Sequence, residues 1–239
     1  MTSLIVPFYN EAQRFYFFEN GMKAYFEKNK WIKELILVND GSRDHTLELL
    51  KDFKVRYNLI DCKIIDIKPN TGKGNAIKEG VKAATQEWIL CNDADLSYLP
   101  QQLDEWIENG WINFDKANAV YFGSRELGMK KGWVKYHLHR RIIGRIYALF
   151  IRIFTGITVT DTQCGFKLYN AKVAKDVFSK IKEQRFAFDL EVFYLLRKNN
   201  VEINLLPLRC EERFASKVNL IKDSWNMFTA IFRIKNRYD

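Results

Sequence analysis

Short apolar runs recur through the first half of the chain, each ending abruptly in polar, acidic or turn-forming residues, and this rhythm constrains the fold more than any other feature. The runs are Ser3–Val6, Glu34–Val38, Cys62–Ile67, Glu87–Cys91 and Ala119–Phe122. Each is too short for a core helix and is bounded by polar or turn residues, which reads as a strand. Between them lie helix-like stretches at Glu11–Lys28, Asp44–Tyr57 and Gly74–Ala84. Alternating strand and helix predicts a parallel sheet with helices on both faces. At 239 residues and 47% hydrophobic, the chain has the size of one α/β domain spanning residues 1–239.

In such sheets ligands bind beyond the carboxyl ends of the strands. The first run leads into Pro7-Phe8-Tyr9-Asn10-Glu11, the second into Asn39-Asp40-Gly41-Ser42, the third into the stretch from Lys68 to Asn75, and the fourth into Asn92-Asp93-Ala94-Asp95. Residues i and i+2 of an extended backbone project from one face, so Asp93 and Asp95 can serve a single hard cation such as Mg²⁺ or Mn²⁺. That cation, shared with a diphosphate, would neutralise charge on a departing nucleotide; the plain alternative is a solvated acidic turn. Asp40 suits a carboxylate accepting from a base imino group or a ribose hydroxyl, or else a turn in which Ser42 or Asp44 caps the next helix. The run Asn70-Thr71-Gly72-Lys73-Gly74-Asn75 opens a helix in a manner suited to an anion at its N-terminus, or forms a simple turn. It lacks the Walker A spacing. Arg125 follows a strand and carries the planar fork that meets a diphosphate, unless it is an ordinary surface arginine. His45, His137 and His139 make no metal-ligand spacing with a carboxylate and are assigned no catalysis.

The charge balance, 38 Lys+Arg against 29 Asp+Glu, gives a net +9 and favours anionic partners. With no RRM, KH, zinc-finger or helix-turn-helix signature, nucleic acid is not among the expected ones. Cys62, Cys91, Cys164 and Cys210 have no CxxC spacing and fit a reducing cytoplasm. The N-terminus shows no signal-peptide pattern. The longest apolar stretch, Ile142 to Val159, holds Arg145 and Arg152, each costing about 2.5–3.5 kcal/mol at a bilayer centre, so it is not read as a membrane span. The segments His137–Phe154 and Val218–Ile234 mix large apolar residues with Arg and Lys. That composition fits basic interfacial helices at a membrane surface, or core helices with arginines at the rim.

Taken together, VPFYNE, VNDGSRDHT, NTGKGNA and NDADLS, in this order, resemble the family 2 inverting glycosyltransferases. FGSRE, TDTQCGFKLYN, FAFDLEV and SKVNLIKDSW are similar to a narrower group, the dolichyl-phosphate β-glucosyltransferases and bacterial polyprenyl-phosphate glycosyltransferases. The resemblance implies a GT-A fold, an α/β Rossmann-like mixed sheet flanked by helices. It implies a nucleotide-sugar-binding half over residues 1–125 and an acceptor-binding half over 126–239 that carries the basic amphipathic helices. It places Pro7, Tyr9, Glu11 and Asp40 around the nucleoside, Lys73 near the donor, Asp93 and Asp95 on ribose, metal and diphosphate, and Arg125 on the phosphates. Asp161 and Gln163 are implied on the sugar and acceptor side, with Lys167 and Asp189 or Glu191 as neighbours.

The reaction so implied is an in-line displacement that inverts the anomeric carbon. The donor is a nucleotide sugar, UDP-glucose by the narrower group, with Mg²⁺ or Mn²⁺. If the acceptor is a lipid phosphate, it is already anionic and needs no strong base, only positioning. If it is a sugar hydroxyl of a capsule, lipopolysaccharide or other cell-surface glycan, then Asp161, Asp189 or Glu191 must act as base. Many relatives carry a transmembrane helix; here, membrane association is expected to be peripheral, at the cytoplasmic face.

Overall fold

The computed structural model describes residues 1–28, 30–57, 61–134, 164–185, 187–210 and 220–238, with the backbone alone over 220–228. The strands β1 (Thr2–Phe8), β2 (Ile32–Asp40), β3 (Asp61–Ile67) and β4 (Trp88–Cys91) alternate with α1 (Phe15–Phe26), α2 (Thr46–Arg56) and α3 (Lys73–Ala83). There follow α4 (Gln101–Glu108), β5 (Ala119–Ser124), α5 (Arg125–Lys130) and β6 (Lys167–Asn170). The chain continues through α6 (Ala171–Lys180), α7 (Phe188–Lys198), β7 (Glu202–Pro207) and α8 (Leu220–Tyr238). All five apolar runs are strands, and the three helical stretches are helices, the first of them entered through a 3-10 turn at Ala12–Arg14.

The strands form one sheet in the order β3-β2-β1-β4-β6-β5-β7. It is not wholly parallel, as the alternation alone predicted: β6 runs antiparallel to both β4 and β5. Its four residues, within CGFKLYN, are too few to show a period. The result is the mixed α/β sheet that the resemblance implies. Because β6 reverses twice, β4, β5 and β7 still point the same way, and six strands present their carboxyl ends to one side.

Side-chain alternation divides the core into two layers. Leu4, Val6 and Phe8 of β1, with Leu35 and Leu37 of β2, pack under α1, α2 and α4. The intervening Ile5, Ile36 and Val38 pack on the opposite face beneath α3, α6 and α7. Such doubly buried strands require helices on both faces. In the first layer Phe18 lies edge-on to Phe8 and tilted against Phe53, each at 5.0 Å between centroids. Truncating one such buried ring costs about 3–5 kcal/mol. The two faces clamp the sheet, leaving its carboxyl edge to the connecting turns.

Candidate active site

The first two turns are stapled to one another. The Asn10 amide donates to Ser42 Oγ (3.0 Å), and the Arg43 amide donates to Asn10 Oδ1 (2.8 Å). Ser42 therefore holds the first turn, and it is Asp44 whose Oδ1 accepts the Thr46 amide at the start of α2 (3.1 Å). Pro7 lies within β1, opposite Val38. Tyr9, 40% exposed, offers an accessible ring just beyond it. Glu11 has its carboxylate paired with Arg14, one contact being Nε to Oε2 at 2.7 Å.

Asp40 is 2% exposed, and four donors converge on its carboxylate. Oδ1 accepts from the Thr71 amide (2.9 Å) and hydroxyl (3.0 Å), and Oδ2 from Asn70 Nδ2 (2.7 Å) and the Gly72 amide (2.8 Å). In this state it shapes the third turn and has little capacity left for a ligand. The α3 N-terminus is likewise taken. The Gly74 and Asn75 amides donate to the Gln184 carbonyl at 2.7 and 3.2 Å, so the anion-cradle reading of Asn70–Asn75 gives way to a capped turn.

The fourth turn is open. Asn92 Nδ2 reaches the Tyr98 carbonyl (2.7 Å), and Asp95 Oδ1 accepts the Ser97 amide (2.9 Å). Ala94 and Leu96 are buried while Asp93 and Asp95 are partly exposed; the segment is a turn closed by the Leu96 amide on the Asp93 carbonyl (3.1 Å), not the extended backbone that the i, i+2 argument assumes. Lys73, the first residue of α3, sets its ammonium 2.5 Å from Asp93 Oδ1. Burial disfavours that charge, but Asp93 and Asp189, with Asp95 behind them, raise the Lys73 pKa and keep it protonated. A cation thus already rests on the carboxylate assigned to a metal. Beneath it, a Cβ at Gly165 would lie 2.1 Å from Asp93 Oδ2, so only glycine permits this close approach.

A small cavity behind the turn is lined by Lys73, Asn92, Asp93, Gly165, Lys167 and Asp189 among others. Lys167 faces Cys91 and Phe122 in the sheet register, and its buried ammonium pairs with Asp189 of α7. Burial pushes the Asp189 carboxyl above the usual range, against the pull of Lys167 and Lys73. Arg125 begins α5, directly after β5, on the same side of the sheet. Glu191 is not in this group: fully buried, it accepts from the Lys182 and Glu183 amides and pairs with Arg237, and it cannot serve as a base. Asp161, Gln163 and the segment His137–Phe154 lie outside the described residues.

Among the described residues no group of three or more His, Cys, Asp or Glu could by itself hold a metal ion. The two open carboxylates fit a hard cation that takes its remaining ligands from a bound diphosphate and water, as Mg²⁺ commonly does. Gly165 and the Gln184 carbonyl escaped the sequence reading. A glycine two residues before a buried lysine carries no spacing signal, and a backbone cap carries none at all.

Comparison with known proteins places the chain. The family model for glycosyl transferase family 2 matches residues 3–178. The dolichyl-phosphate beta-glucosyltransferase of Dictyostelium discoideum is 30% identical over 99% of this chain and 74% of its own length. The human enzyme of that name is 28% identical over 90% and 69%. Among solved structures, glucosyl-3-phosphoglycerate synthase from Mycobacterium tuberculosis, in complex with Mn²⁺, UDP-glucose and phosphoglyceric acid, aligns with a TM-score of 0.67 at 14% identity, covering 98% of this chain and 79% of that one. Mannosyl-3-phosphoglycerate synthase from Rubrobacter xylanophilus aligns at 0.69 and 15% identity, over 99% and 73%.

Proposed function

The chain belongs to glycosyl transferase family 2, and on that footing we propose that it is a metal-dependent, inverting hexosyltransferase moving glucose from UDP-glucose to a polyprenyl-type lipid phosphate. The observation that carries the reading is the open pair Asp93 and Asp95 at the end of β4, with the Lys73 ammonium against Asp93. The transferred glucose and the lipid-phosphate acceptor follow the names of the dolichyl-phosphate beta-glucosyltransferases that it resembles over nearly its whole length. The solved relative holding Mn²⁺ and UDP-glucose lends support to the metal and the donor.

In this reading residues 1–125 bind the donor and 126–239 the acceptor. Tyr9 faces the base, and Pro7, Glu11 and Asp40 shape the nucleoside pocket, Asp40 through the turn that it ties down. A divalent cation held by Asp93 and Asp95 would offset the negative charge left on the nucleoside diphosphate. Lys73 and Arg125 hold the diphosphate oxygens, the arginine by its fork. Lys167 and Asp189, locked together behind Asp93, keep the cavity wall polar yet rigid. Asp161 and Gln163 position the acceptor, whose phosphate oxygen is already anionic and attacks without a base.

No described helix is long and apolar enough to cross a membrane. We place the enzyme at the cytoplasmic face of a membrane, held there by basic surface that includes the exposed Lys235 in the last turn of α8. The test is UDP release from UDP-glucose with Mg²⁺ or Mn²⁺, with and without a short-chain polyprenyl phosphate. Stimulation by the lipid phosphate supports the reading. Slow metal-dependent hydrolysis without stimulation moves the acceptor to a glycan hydroxyl, and no turnover with any nucleotide sugar ends it.

A further inference from the structure

The first turn of α3 carries Lys73 and receives the Asp40-bound loop, so whatever fixes this turn fixes the donor side of the site. Its cap residue, Gly72, makes no side-chain cap bond. The Gly74 and Asn75 amides rest instead on the Gln184 carbonyl, at 2.7 and 3.2 Å. Gly72 takes φ +108°, and a Cβ there would lie 2.6 Å from the same oxygen, so backbone meets backbone without slack. One turn on, Lys78 Nζ donates to the Ile181 carbonyl at 3.2 Å. The start of α3 therefore sits on residues 181–185, the link between α6 and α7.

That link is held in turn by one carboxylate. Glu191 Oε2 accepts the Lys182 and Glu183 amides at 2.8 and 2.7 Å. Its Oε1 meets Arg237 Nη1 at 2.5 Å and the Tyr238 hydroxyl at 2.8 Å, both at the end of α8. Glu183, on the link itself, pairs with Arg233 of α8 at 2.9 Å and with Arg237 at 3.4 Å. Glu191 is fully buried, so removing its charged partner leaves an uncompensated buried charge that only its remaining donors can stabilise. Those remaining donors are the amides of the link.

We infer that Glu191 and Arg237 are positioning residues for the donor site: the C-terminal helix, through Glu191 and the 181–185 link, sets the α3 N-terminus and with it Lys73 against Asp93. Contact runs unbroken from α8 to the metal end of the site, so the seating of the C-terminal helix adjusts nucleotide affinity from the far side of α7. This rests on Lys73 and Asp93 forming the diphosphate end proposed above.

The experiment compares the wild type with Arg237→Ala, Arg237→Lys and Lys198→Ala, which touches the end of α8 at the Tyr238 carbonyl but not Glu191. Amide hydrogen exchange at Gly74 and Asn75 reads the link directly, and calorimetric titration with UDP and Mn²⁺ reads its effect. In Arg237→Ala both amides exchange faster and UDP affinity falls about fivefold. Arg237→Lys restores most of each, and Lys198→Ala changes neither. The proposal is overturned if Arg237→Ala speeds exchange only within α7 and α8 while Gly74, Asn75 and UDP affinity stay at wild-type values. A wild type that binds no UDP would remove the nucleotide-sugar reading instead, and exchange at the two amides would still decide the link.

Discussion

Two acidic strand ends lie on neighbouring parts of the sheet edge, yet they have become opposite things. Asp40, at the end of β2, is buried and receives four protein donors, so its charge is spent on the turn from Asn70 to Gly72. Asp93, after β4, is 31% exposed at its side chain and has Lys73 at 2.5 Å as its charged partner. A saturated carboxylate organises a backbone; one balanced by a single side-chain ammonium can exchange that cation for another. The difference separates scaffold from site more sharply than acidity or motif does.

The comparison breaks most visibly at Asp95. Replacing it with Ala removes an open carboxylate and only one part-buried turn bond, from the Ser97 amide, so turnover of UDP-glucose falls about 10²–10³-fold while the melting temperature drops by only a few degrees. Asp40→Asn inverts that pattern. It turns an amide N–H toward protein donors, and unfolding stability measured with urea drops by about 3 kcal/mol. If Asp40→Asn were as stable as wild type and lost only nucleotide binding, the scaffold role would be wrong.

Gly165→Ala pushes a methyl against Asp93 Oδ2, and we expect about tenfold weaker Mn²⁺ binding in the presence of UDP, with the buried Lys167–Asp189 pair intact. The smallest effect is also the most discriminating. Lys73→Met removes the ammonium that occupies Asp93, so Mn²⁺ binding without nucleotide tightens about threefold, whereas UDP binding weakens by a similar factor. Parallel loss of both would mean that Lys73 only supports the turn.

Much of this contrast was legible in the chain itself. The strands β1 to β5 announced themselves because each is an apolar run of strand length with a polar stop, and their alternation with helical stretches called for helices on both faces. The pairing of Asp93 with Asp95 was legible in their i, i+2 spacing, whereas their exposure comes from the turn after β4. The closure of Asp40 did not, because its donors lie thirty residues away and two of the four are backbone amides. Strand β6 hid in four residues whose pairing depends on β4 and β5 being in place. Glu191 looked like a spare carboxylate beside Asp189; one helical turn does not reveal that its neighbours are the Lys182 and Glu183 amides and the end of α8.

The central claim is that the open carboxylates, and not the saturated one, hold a divalent cation together with a nucleoside diphosphate. Mn²⁺ titration followed by electron paramagnetic resonance, with and without UDP, tests it on wild type and Asp95→Ala. The account predicts Mn²⁺ uptake that UDP strengthens in the wild type and that Asp95→Ala abolishes. Undiminished, UDP-dependent Mn²⁺ uptake in Asp95→Ala would contradict it.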